Sequence, residues 1–215
     1  GAFVFLAGDD SDLFTRGAEI GVQATGTPAN DRCPSDIIFS TTPTSGASTP
    51  QQRLRIDSNG YVTKPQTPAF NVKGSNMSRG DSSDFIVAFS NDSSSGCFNN
   101  GNHFNTSTYK FVAPVSGYYH FAANVRIDGW DSGYIRMAIL STSYHAGLSY
   151  WAYPSTGHII KGRSAGGNRP YENFSTSTTM YLPATHEAFV YMTIQNETSF
   201  TVYVSESSFS GYLIG

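Results

Sequence analysis

The 215 residues carry 13 Lys and Arg against 16 Asp and Glu, a net charge of −3 at pH 7. The basic residues are scattered, so the electrostatic footprint of nucleic-acid binding is missing, and no run of about 20 apolar residues exists to insert into a bilayer. Only 13% of residues are charged while 14% are aromatic and 21 are Gly; this is the composition of short strands joined by polar turns, and a soluble all-β chain with almost no helix is expected.

The chain opens on Gly1 and Ala2 without a basic leader and enters directly on an apolar run, which reads as the C-terminal part of a longer protein. Up to residue 66 the strand-like pieces are short, at 3–6, 20–23, 37–40, 53–56 and 61–63. Turn-formers such as Gly26 with Pro28, Thr42 with Pro43, and Ser58, Asn59, Gly60 separate them. Pieces this short lack a buried face to offset the entropy of ordering, so they are expected to need neighbours from other copies of the chain. The run Ile37, Ile38, Phe39, Ser40, Thr41, Thr42, then Gly46, Ala47, Ser48, then Arg53 through Asp57 to Gly60, resembles segments common in bacteriophage tail-fibre shafts, over residues 17–63. The resemblance implies three chains wound together, each lending short strands to a shared core.

Lys64, Pro65, Gln66, Thr67 and Pro68 read as a hinge, dividing a shaft segment, residues 1–66, from a head, residues 67–215. Cys33 and Cys97 then fall in different domains and are expected to be free thiols, which suits assembly in a reducing host cytoplasm. In the head, residues 69–72 and 85–89 read as strands and 90–102 as a polar loop. From Phe104 to Phe121, aromatic residues are interrupted by Pro114 and Gly117 in a strand, turn, strand pattern. Beyond it the odd positions Tyr119, Phe121, Ala123, Val125 and Ile127 are apolar and the even ones mixed, giving a long strand with one buried face. The spacing of Asn99, Phe104, Phe111, Gly117, Tyr119 and Phe121, with Phe209, Ser210, Gly211, Tyr212 and Leu213 near the end, resembles the globular head of complement component one-q, a relative of the tumour necrosis factor jelly roll. Strands at 133–140, 148–153, 179–182, 188–194, 200–204 and 209–214 complete about ten, a number suited to a two-sheet jelly roll.

A second aromatic stripe remains. If Val190, Met192, Ile194, Val202, Val204, Phe209 and Leu213 fill the space between the sheets, alternation puts Tyr118, Phe189, Tyr191, Tyr203 and Tyr212 on the outside of one sheet. Apolar patches above a few hundred Å² are uncommon on monomers, and both resemblances imply threefold assembly, so a homotrimer with these residues at its interface is expected.

For catalysis the sequence offers little. Gly162, Arg163, Ser164, Ala165, Gly166 matches the GxSxG elbow of serine hydrolases, but Gly167, Asn168, Arg169 and Pro170 cannot begin the helix that elbow requires. Asp9, Asp10 and Asp12 lack the remaining positions of a calcium loop. Asp128 and Asp131 flank Trp130 in a tight turn, placed to bind a structural calcium ion or a sugar hydroxyl, or to cap the turn. No histidine pair has metal spacing, and the head's acids show no pairing suited to polysaccharide cleavage. No enzyme, cofactor or metal site is expected. What remains is surface recognition. Residues 155–174 form the longest stretch without strand alternation and carry His158, Lys161, Arg163, Arg169 and Tyr171, which join Asp128, Trp130, Asp131 and Tyr144 as candidate receptor contacts. Aromatic faces suit saccharide rings and basic groups suit envelope phosphates and carboxylates. The expected function is the receptor-binding tip of a phage tail fibre on the virion. It would adhere to a host polysaccharide or outer-membrane component and join other tail proteins through the missing N-terminal part. The other reading is a structural head that only locks the trimer.

Overall fold

In a computed structural model the described residues are 1–7, 15–44, 47, 49–75, 77–80, 83–129, 133–142, 159–163, 171–195, 199–202 and 206–215. The chain divides into two compact units, Gly1–Thr67 and Pro68–Gly215.

The first unit is a single antiparallel sheet in chain order: β1 (Ala2–Ala7), β2 (Thr15–Ala24), β3 (Ser35–Thr41), β4 (Gln51–Ile56) and β5 (Val62–Thr63). The turn between β4 and β5 follows from its side chains. The Asp57 carboxylate accepts the N–H groups of Asn59 and Tyr61, each at 2.9 Å, and Gly60 takes the positive φ of 88° that closes the turn. Among the described residues of this unit, Asp36 alone is buried. It forms an ion pair with Arg55 and accepts the Ser58 N–H at 2.9 Å, tying β3 to the turn after β4.

The second unit continues with β6 (Ala69–Gly74), β7 (Met77–Gly80), β8 (Ser83–Ile86), β9 (Phe89–Ser90), β10 (Phe98–Asn100), β11 (Phe104–Asn105) and β12 (Lys110–Val112). There follow β13 (Gly117–Asp128), β14 (Gly133–Ser141), β15 (Ile159–Arg163), β16 (Tyr171–Leu182), β17 (Glu187–Gln195), β18 (Ser199–Val202) and β19 (Ser208–Leu213). Helix is confined, among the described residues, to one 3-10 turn, Ser93–Ser95. One sheet runs β10-β6-β19-β13-β18-β7, with β16 on the other side of β13 and β9 beside β6; the other runs β11-β12-β17-β14-β15, with β8 beside β17. The result is a jelly-roll-like all-β sandwich.

Alternation along β13 sends Tyr119, Phe121, Ala123, Val125 and Ile127 inward, all buried. They meet Ile135, Met137 and Ile139 of β14 and Val190, Met192 and Ile194 of β17 in one core. At one end of it Phe70 stacks on Phe104 and Phe111, centroids 5.1 Å apart in each case, and meets Phe209 edge-on at 5.0 Å. Tyr119 is fully buried because its hydroxyl donates to the Val115 carbonyl at 2.7 Å.

Two sequence expectations need correction. Residues 155–174 are not without strands: β15 pairs with β14, and β16 begins at Tyr171 because its register with β13 runs unbroken from Asp128↔Tyr171 to Gly117↔Leu182. The partner strand extends it past the point where its own side chains stop alternating. Nor is the segment 90–102 wholly loop, since Phe98–Asn100 pairs with β6.

Candidate functional site

The expected outer aromatic stripe divides between two sheets. Tyr118 and Tyr212 stand on the outer face of the sheet holding β13 and β19, whereas Phe189 and Tyr191 belong to β17 in the opposite sheet; Tyr203 lies outside the described residues. Alternation fixes the face of each strand but not the sheet it joins, which is why one stripe was expected. Phe189 is moreover only 4% exposed, packed with Ala138 and Leu140. The Lys110 ammonium lies 5.2 Å from its ring centroid and is held by Glu187 at 2.7 Å. It is covered within the chain.

The outer face of the β13 sheet is graded along its length. At one end Tyr118 meets Tyr181 of β16, ring centroids 5.4 Å apart, and His120 meets Tyr212 at 5.6 Å. Tyr118, Tyr181 and Tyr212 are 57%, 45% and 50% exposed. Tyr181 was not singled out in the sequence; its alternation with the buried Met180 and Leu182 was the available signal. In the middle, Ala122, Asn124, Ser175, Ser177, Ser208 and Ser210 line a shallow open trough, where Ser175 Oγ donates to Asn124 Oδ1 at 2.7 Å.

At the far end stands Arg126, which sequence reasoning missed. Its guanidinium donates to both carboxylate oxygens of Asp128, at 2.8 and 3.2 Å, and to Glu206 at 2.5 Å. It lies over the Tyr171 ring, 4.4 Å from the centroid. Hydrogen bonds donated to Asp128 first and Glu206 second raise the Arg126 pKa above its ordinary value. Of the candidate receptor contacts, the structure therefore joins Asp128 and Tyr171 through Arg126. Lys161 and Arg163 sit on β15 of the other sheet, with only their backbone described. Trp130, Asp131, Tyr144, His158 and Arg169 lie outside the described residues, as do Ser164 of the GxSxG match and Asp9, Asp10 and Asp12. Among the described residues no group of three or more His, Cys, Asp or Glu is placed to hold a metal ion. Cys33 is exposed and Cys97 buried, and both are free.

The C1q domain profile matches residues 69–214. The chain belongs to the C1q-domain family. C1q domains are typically non-enzymatic binding or structural modules, and proteins that carry them commonly form trimers. Among solved structures, the globular domain of zebrafish complement 1qA protein is similar, at 18% identity and a TM-score of 0.42, over 69% of this chain and 98% of that one. No curated protein matches the chain.

Proposed function

We propose that the chain is a homotrimeric receptor-binding protein at the tip of a phage tail fibre. Its C1q domain is the head that adheres to a host polysaccharide or outer-membrane component, and its N-terminal sheet is the last piece of shaft. The observation that carries the homotrimer is the exposed face of Tyr118, Tyr181 and Tyr212, because tyrosine buries a ring at an interface while its hydroxyl keeps a polar partner. The shaft reading is supported by the tail-fibre-like phrases, which coincide with β3, β4 and the turn at Gly60. Modest affinity per head would be multiplied by three heads per fibre. The remainder of this reading is a virion location, assembly in the host cytoplasm and attachment to other tail proteins. It includes no cofactor, with a structural calcium ion at the turn of Asp128 and Asp131 as the alternative.

A second reading, a head that locks the trimer without touching a receptor, is favoured by the same engagement, since Asp128 and Tyr171 are committed within the chain. Glycan-array binding of the purified chain, with competition for phage adsorption to the host, separates the two. Saturable binding to an envelope glycan together with competition supports the adhesin, and a native trimer mass with neither result supports the locking head.

A further inference from the structure

Cross-strand partners in an antiparallel sheet share a face. In the N-terminal unit the register aligns Phe3, Ile20, Phe39 and Leu54 in one row across four strands. The next row, Val22, Ile37, Ile56 and Val62, continues through β5. Both rows are wholly apolar, and every member is exposed or half-buried, Phe3 reaching 79% and Val62 59%. The opposite face is mixed, with Glu19, Gln23, Asp36 and Arg55 beside Val4 and Ile38. The side with the two unbroken apolar rows has no cover from the described residues of its own unit.

We infer that this apolar face is closed by the same face of other copies of the chain; the inference rests on the homotrimer proposed above. Three observations choose that occupant. With about 150–250 Å² per aromatic side chain, Phe3 and Phe5, 79% and 54% exposed, alone present on the order of 250 Å². The aliphatic neighbours then carry the patch beyond the ~300–600 Å² typical of a monomer. The two rows hold no charged group, so they match a surface of their own kind, and three copies that turn this face toward a shared rotation axis bury it in a closed ring. Finally, the described part of the unit has no buried apolar side chain, so the sheet is not stable without its cover. That cover must accompany every chain, as a sister copy does when five residues, 64–68, separate β5 from β6 and associated heads hold the sheets at roughly millimolar effective concentration.

The test uses the full chain, made as an equal mixture of light and isotopically heavy copies, with a photo-crosslinking residue in place of Val22. Light-to-heavy crosslinks landing on the Ile37 and Ile56 row are expected. In hydrogen exchange, Phe39→Lys should speed exchange in β2, β3 and β4 by more than about tenfold, leaving β13 protected and the native mass trimeric. Val4→Lys, on the opposite face, should change neither. A trimeric mass with crosslinks confined to single chains, or with β2–β4 equally protected in Phe39→Lys, overturns the inference and leaves the homotrimer standing. A monomeric wild-type mass removes both.

Discussion

At the scale of single residues the head is set by close contacts that leave no slack. A Cβ built on Gly211 would stand 2.4 Å from Phe121 Cδ1 and 2.8 Å from Phe70 Cε1, and both rings are buried. Gly211→Ala should therefore destabilise the head by about 1–3 kcal/mol through overpacking, read as a lowered denaturation midpoint. His103 supplies a pH dependence. Its ring meets Phe111 edge-on at 6.4 Å, and burial pushes its pKa below the ordinary histidine value of about 6.5. The native state thus favours the neutral imidazole, so its contribution is complete above the unfolded pKa and is lost as pH falls through about 6.5 toward the folded value. Thermal midpoints measured from pH 7.5 downward should fall more steeply for the wild type than for His103→Gln. The inward set of β13 was legible from alternation alone. Arg126 was not, because its meaning depends on Asp128 two residues along and on Glu206 and Tyr171, which are brought beside it only by strand pairing.

At the scale of elements, the contrast between β17 and β13 separates stability from assembly. Both present outward aromatic residues, yet Phe189 is roofed within the chain while Tyr118 and Tyr212 are open. Phe189→Ala should cost about 3 kcal/mol or more of stability, seen as a lowered denaturation midpoint. The double substitution Tyr118→Ser, Tyr212→Ser should leave the circular dichroism spectrum unchanged and shift the native mass from trimer toward monomer. An unchanged trimer would place the interface elsewhere. The strand at Tyr171–Leu182 teaches the complementary lesson. Its central run from Ser175 to Thr179 is all Ser and Thr, too uniform in hydropathy to announce a twelve-residue strand, and its length comes from β13.

At the scale of the whole molecule, the two units differ in what holds them. Pro68–Gly215 encloses a continuous core of fully buried phenylalanines and aliphatic residues, whereas Gly1–Thr67 buries only Asp36 among its described residues. Diluted until its native mass is monomeric, the full chain should accordingly lose hydrogen-exchange protection in the first unit while the head core keeps its own. First-unit protection that survives in the monomer would contradict this division. Composition and periodicity alone determined the all-β class, the turn at Gly60 and the inward residues of β13 and β17, because these depend on local geometry that repeats every two residues. The tertiary structure alone decided which sheet each strand joined, which outward aromatic ring was roofed and which left open, and that Asp128 and Tyr171 meet through Arg126. Those outcomes depend on residues far apart in the chain, and pairing energy acts only between strands that folding has already brought side by side.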